Sequence, residues 1–324
     1  MGTPYHPRLR GQLLVTLSVV CCAVPASVMA GEEPNFAQRF EAQFTASDIK
    51  FGSANSNVPF PATALLGSKH YTKALAEGPN SEQLEYDVDS YRQAAGIPIM
   101  LSPKDLLVVG EYLSWTEFNV LTDGVESFEI ASIGLPLGWL RQLNPDWQLA
   151  SFVMPFGHYT MLDTGDYWNW QYLGGVFTRF VQSDRLWWAF GFYADIAEND
   201  EDFYTPYVGA SWAINEQWNL SAILPWPSLS YAPNSDWLIR LGASPSAASW
   251  SINVGSADAN MNLDAWDFGL SVEYRFHGNF WLSAEAGVGG FRALRLSNSD
   301  IEDIDVDFSE GAFFGINVKY RPAL

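Results

Sequence analysis

The 324-residue chain carries 37 acidic against 17 basic side chains, a net charge of −20, which excludes binding to a nucleic-acid phosphate backbone. Aromatic content of 15%, 14 Trp and 26 Gly accompany a mean hydropathy of only −0.04, as expected of strands that are apolar on one face and polar on the other. No stretch approaches the roughly 20 apolar residues of a membrane-crossing helix, so a membrane span would be made of strands.

Arg8 and Arg10 precede the apolar run Leu13 to Val24, and Val28-Met29-Ala30 offers small residues for cleavage, so residues 1–30 read as a secretory signal peptide. Cys21 and Cys22 are the only cysteines, and both lie in this leader. A lipoprotein would need a small residue before the cysteine, where Val20 and Cys21 stand. The mature chain would hold no thiol for a disulfide or a metal. Losing two of the 17 basic and none of the 37 acidic residues, it would carry −22. Residues 31–81 are polar and irregular, with loops marked by Asn55 to Pro61 and Glu77 to Ser81. This segment is expected to supply an interior plug or a first strand, the latter within Ala42 to Gly52.

Residues 82–324 alternate with a period of two. The clearest run places Trp266, Phe268, Leu270, Val272, Tyr274 and Phe276 on one face and Asp267, Gly269, Ser271, Glu273 and Arg275 on the other. About 9 to 11 such residues cross a bilayer when tilted. Short turns at 102–105, 143–146, 183–185, 215–217, 243–246 and 277–279 alternate with longer polar ends at 121–127, 157–167, 198–202, 232–236, 256–264 and 298–307. That asymmetry predicts periplasmic turns and external loops. Trp147, Trp188, Trp218 and Phe280 follow short turns and Tyr320 ends the last strand, together forming a membrane girdle. A tryptophan after a turn also caps a soluble β-core, but recurrence at one end favours the girdle. Thirteen strands follow Tyr86, and closure needs an even number. The sequence therefore predicts an all-β, closed antiparallel transmembrane barrel of 14 strands, or of 12 if Trp237 to Val254 forms an external flap. Pro98, Pro136, Pro155, Pro225 and Pro227 predict strand ends or bends, and the phase break between Val88 and Tyr91 predicts a bulge.

The predicted lumenal charges are Glu111, Glu129, Arg179, Asp195, Arg240, Asp267, Glu273, Arg275, Glu285 and Lys319, with Phe177, Trp187, Tyr193 and Trp281 filling space between them. They would set ion selectivity in a pore or lock the wall of a closed barrel. No catalytic residue, metal site or cofactor is assigned. Of the mature histidines His70, His158 and His277, none shows the His-x-Ser spacing of outer-membrane lipid hydrolases, although a pair assembled from distant strands is open to geometry. Asp300 to Asp307 lacks the glycine and terminal acid of a calcium loop. With Glu198 to Asp202 it reads as a solvated external loop that meets lipopolysaccharide through divalent cations.

The stretch Pro206 to Asn215, followed by Trp218-Asn-Leu, Leu224-Pro-Trp-Pro227, Leu229-Ser-Tyr231, Leu241 to Pro245 and Trp250, resembles an uncharacterised family of bacterial outer-membrane barrels. It is similar, more loosely, to barrels named for the phenol-degradation MetA pathway. The resemblance spans about Tyr86 to Tyr320 and implies an outer-membrane location, insertion by the barrel assembly machinery and passage of small molecules; it carries over no functional residue. The expected function is a narrow or plugged passive channel for small solutes or ions. A non-conducting structural or surface-interaction barrel is the alternative, and a lipid hydrolase the second.

Overall fold

The computed structural model describes residues 36–322 apart from 51–55, 78–82, 123–126, 163–164, 198–202, 246–247, 255–256, 299–300 and 310. The expected signal peptide and the loop Glu198 to Asp202 lie outside the described residues. The chain divides into Met1–Arg39 and Phe40–Leu324, and the second unit is considered below. Helix α1 (Phe36–Thr45) precedes strands β1 (Ala64–Glu77), β2 (Gln83–Ser102), β3 (Asp105–Val120), β4 (Phe128–Gly134), β5 (Leu137–Gln142), β6 (Trp147–Leu162), β7 (Gly165–Ser183), β8 (Leu186–Ala197) and β9 (Phe203–Ala213). The remainder are β10 (Trp218–Leu224), β11 (Ser228–Asn234), β12 (Trp237–Pro245), β13 (Ala248–Val254), β14 (Ala257–His277), β15 (Phe280–Asn298), β16 (Ile301–Phe308) and β17 (Gly311–Tyr320).

Every strand pairs antiparallel with its neighbours, and β1 pairs with β2 on one side and with β16 and β17 on the other, which closes the sheet. The elements make 14 staves, because β4 with β5, β12 with β13, and β16 with β17 each share the same partners in succession. Pro136 explains the first of these breaks: it has no N–H for the ladder.

The predicted alternation is present. Trp188, Phe190, Phe192, Tyr204, Val208, Trp212, Phe268, Leu270, Phe314 and Ile316 are exposed on the outside, while Asp267, Glu273, Ser211 and Asn317 are buried within. Trp147, Trp188, Trp218 and Phe280 all lie exposed beside short turns, and the Tyr320 ring meets Phe280 edge-on with the centroids 5.4 Å apart.

Several expectations need correction. Ala42 to Gly52 is not a strand, since its first residues complete α1; the missing stave is Ala64–Glu77, so the barrel begins before residue 82. The count of 13 strands after Tyr86 is right through two compensating errors. Pro225-Trp-Pro227 is a hairpin that splits residues 218–234 in two, and residues 237–254 form one broken stave. Consequently Asn234 to Asp236 lies at the short-turn end, and Ala243 to Ser246 is no turn there. The expected loops at 157–167, 256–264 and 298–307 are mostly strand, because hairpins extend the wall beyond the lipid band. The irregularity expected at Val88 to Tyr91 sits on the facing strand, where the register shifts between Tyr71 and Ala74. Tyr86 and Val88 point inward and pack with Ala74, Tyr71 and Phe118, which is why apolar residues occur on both faces of β2.

At the long-loop end β13 pairs back on β14 and comes alongside β6 and β7, while β12 pairs with β11 and β14 in the wall, so of the flap foreseen for residues 237–254 only Ala248–Val254 departs from the wall and the barrel keeps 14 staves. Below β13 the wall is low, since β10 and β11 have only 7 residues each. On β17, Phe313 lies buried on a bed of Gly269 and Gly287; a Cβ at Gly287 would run into the Phe268 carbonyl, the Gly269 Cα and the Phe313 ring. Gly287→Ala is expected to destabilise the barrel by about 1–3 kcal/mol, read as a lower urea midpoint of the refolded protein.

Candidate functional site

The lumen has two unlike walls. On β14, β15, β17, β1 and β2 the inward positions carry an ion-pair ladder. Lys69 Nζ stands 3.3 Å from Asp267 Oδ2 and 3.6 Å from Glu285 Oε1, and Arg92 Nη2 donates to Glu285 Oε1 at 3.2 Å and to Asn317 Oδ1 at 3.2 Å. Tyr71 donates its hydroxyl to Asp267 Oδ2 at 2.6 Å, and Lys69 also sits 4.4 Å over the Phe313 ring. Toward the short turns, Glu273 is almost fully buried and accepts from Lys319 Nζ at 2.7 Å and Arg321 Nη2 at 2.7 Å. Arg240, on the neighbouring stave, is within electrostatic reach of both Glu273 and Arg321. One carboxylate thus bonds two cations directly and attracts a third, which offsets part of their desolvation.

Diametrically across, β6 to β9 present aromatic rings. Phe152 stacks on Phe177 at 5.7 Å, Phe177 meets Tyr207 edge-on at 4.5 Å, and Trp226 from the β10–β11 hairpin reaches Tyr207 at 5.9 Å and Tyr193 at 6.2 Å. Glycines at 175 and 191 make room for Phe177 to lie against the wall, because a Cβ at either would strike its ring. Farther toward the long loops, Ser132 Oγ is 2.8 Å from His158 Nδ1, His158 Nε2 is 2.9 Å from Gln171 Oε1, and Gln171 Nε2 donates to both Asp195 oxygens at 2.7 and 2.8 Å. His158 therefore does have a serine partner, 26 residues away and directly opposite in register. Its second nitrogen faces an amide rather than a carboxylate, and the chain of bonds ties four staves together, β4, β6, β7 and β8.

Residues 40–50 and 56–63 lie against opposite parts of the short-turn end. Phe40 and Ile49 are buried against Leu106, with Phe44, Met100, Val108 and Leu140 around them. The Lys50 carbonyl accepts from Gln148 Nε2 at 2.6 Å and Arg179 Nη1 at 2.8 Å, while the Asp48 N–H donates to the Pro103 carbonyl at 2.9 Å. On the far side Asn57 donates to the carbonyls of Glu216 and Ala232, Val58 packs on Ala232, Leu238 and Trp281, and Arg321 Nη1 donates to the Phe60 carbonyl at 2.7 Å.

Of the predicted lumenal charges, Arg179, Asp195, Arg240, Asp267, Glu273, Glu285 and Lys319 point inward and join these networks. Arg275 is on the inward face but at the rim, paired with Asp236. Glu111 and Glu129 point outward: the unbroken register pairs Glu111 with Ala95, and Glu129 with Glu117, on the same face as exposed Val109 and Ile133. Both lie in strands with apolar residues at odd and even positions, which leaves phase ambiguous in sequence. Lys69 and Tyr71 were invisible because β1 was not recognised, and Arg92 because apolar residues on both faces of β2 leave its phase ambiguous.

Residues 105–321 match the model of a family described as a domain of unknown function, DUF6268. No curated protein matches the chain. Solved structures of similar fold include the COG4313 outer membrane channel from Pseudomonas putida F1, at 11% identity and TM-score 0.42 over 84% of this chain and 99% of that one. A Pseudomonas aeruginosa FadL homologue aligns at 10% identity and TM-score 0.41, over 85% and 97% of the two chains. The P. putida toluene transporter TodX aligns at 8% and 0.39, over 81% and 90%.

Proposed function

The chain belongs to the DUF6268 family, whose function is unknown, and from that premise we propose an outer-membrane barrel that forms a narrow passive channel for small solutes or ions, closed at its periplasmic end by residues 40–50 and 56–63. The observation that carries this reading is the two-walled lumen, with the Lys69, Arg92, Asp267 and Glu285 ladder facing the Phe177, Tyr193 and Tyr207 rings at mid-height. Ions and amphipathic solutes find complementary surfaces there. The outward apolar band and its rim of Trp147, Trp188, Trp218 and Phe280 support placement among outer-membrane lipids. The acidic residues toward the long-loop end support contact with lipopolysaccharide through divalent cations.

Planar-bilayer recording of the refolded mature chain in a salt gradient tests the proposal. Lys69→Glu leaves Asp267 and Glu285 in excess, so the reversal potential is expected to move toward cation preference. A barrel that conducts neither as wild type nor after removal of residues 40–60 would favour the non-conducting alternative.

A further inference from the structure

Some ionisable groups lie on the outside of the wall, where hydrocarbon is expected. His70 and Asp89 are directly opposed in register on β1 and β2, and His70 Nδ1 is 2.8 Å from Asp89 Oδ1. Both are outward, since His70 is opposite exposed Phe314 on β17 and rests against its ring at 5.1 Å. Ser68 lies two residues before His70 and so on the same face, opposite Tyr91. Together these residues line a groove of about 300 Å³ on the outer surface, walled by the apolar side chains of Phe314 and Ile316. His70 stands six residues into β1, or about 15 Å up a tilted strand, inside an apolar band about 25 Å tall. A lipid-facing carboxylate at that depth is destabilising, by less than the about 2–4 kcal/mol of an Arg or Lys at the midplane, and ionisable residues at membrane depth mark functional sites.

We propose that Ser68, His70 and Asp89 form a serine-hydrolase triad that cleaves the acyl esters of membrane lipids from the lipid side of the barrel. Asp89 fixes the His70 tautomer with the proton on Nδ1, leaving Nε2 as the base, the order of roles such a triad requires. The Cβ atoms of residues two apart on a strand are about 7 Å apart, a gap that an imidazole leaning along the strand and a serine hydroxyl can close. Ser68 Oγ attacks the ester carbonyl while Nε2 takes its proton, and Tyr91, which lines the same groove, supplies the hydroxyl that donates to the developing oxyanion. Collapse of the tetrahedral intermediate breaks the bond to the alcohol oxygen, which takes the proton from His70 and leaves acyl-Ser68. Water then gives its proton to Nε2 and attacks the acyl carbon, and as the bond to Oγ breaks His70 returns that proton to Oγ, releasing the fatty acid and the free serine. Outward Asp89, Glu117 and Glu129 are opposed in sequence across β2, β3 and β4, forming a polar track that brings water from the long-loop end.

The test uses the refolded mature chain in phosphatidylethanolamine-containing liposomes. It follows fatty-acid release and covalent labelling by a fluorophosphonate, with the modified residue located by mass spectrometry. Wild type is expected to release fatty acid and to label at Ser68. Ser68→Ala should abolish both, and His70→Asn should lower both by at least about 100-fold. Heat-modifiable gel mobility and bilayer conductance should be retained, which separates loss of chemistry from loss of fold. Absence of release and labelling in folded wild type, labelling at another serine, or full activity in Ser68→Ala would each overturn the proposal.

Discussion

Glu273→Ala is expected to cost the barrel about 3–5 kcal/mol, because it removes the single carboxylate that serves Lys319 and Arg321 and leaves those cations with Arg240 in a buried cluster of like charge. The Glu273 side chain is 1% exposed and that of Arg321 6%, so water offers little compensation. The loss should appear as a lower urea midpoint for the refolded protein in vesicles. Lys319→Met alone should cost less, since Glu273 would keep Arg321. The double variant should be less damaged than the sum of the two singles, because the pair is coupled. A change below about 1 kcal/mol for Glu273→Ala would show that water reaches the cluster and that the salt bridges are worth no more than surface pairs.

Removing residues 40–60 is the second large effect expected, and it acts on passage rather than on stability. Each of the buried Phe40 and Ile49 side chains contributes about 1.5–3 kcal/mol to seating, and each hydrogen bond to the Lys50 and Phe60 carbonyls about 0.5–1.5 kcal/mol more. A segment held at so many points does not open when one is lost. Arg179→Ala is therefore expected to conduct nearly as wild type does, while the deletion raises single-channel conductance severalfold. The staves themselves are complete without the segment, so heat-modifiable mobility should survive. If the folded deletion variant still passes no current, the ion-pair ladder and the aromatic wall fill the lumen on their own.

The wall was legible in the sequence wherever one face is uniformly apolar, as in residues 266–276 and 312–320, since each residue there reports its own direction. It became illegible where both faces carry apolar residues, as in β2 and β3. There the inward Tyr86, Val88 and Phe118 form a lumenal cluster, and phase alone sent Glu111 and Glu129 to the wrong side. The Leu224-Pro-Trp-Pro227 signal was visible, but proline marks a bend without saying whether the chain reverses. β1 was missed because its Ser68-Lys-His70 polar stretch dilutes the alternation that Leu65 and Leu66 begin. The same dilution hid the outward Ser-x-His order, which reverses the spacing sought. The seating of residues 40–50 and 56–63 depends on carbonyls meeting Arg179 and Arg321 from far along the chain, contacts that no local pattern encodes.

The pairing of β1 with β17 joins the first stave to the last, and the Arg321 bond to the Phe60 carbonyl lies just beside that seam. Contacts so distant along the chain form late in folding. The seat for residues 56–63 is built from Trp281, Arg321 and the ends of β11 and β12, so it does not exist in a half-built sheet. The second anchorage is thereby left to the end of biogenesis: an unfinished barrel can hold residues 40–50 on β2 to β7, while residues 56–63 gain their seat once β17 is in place.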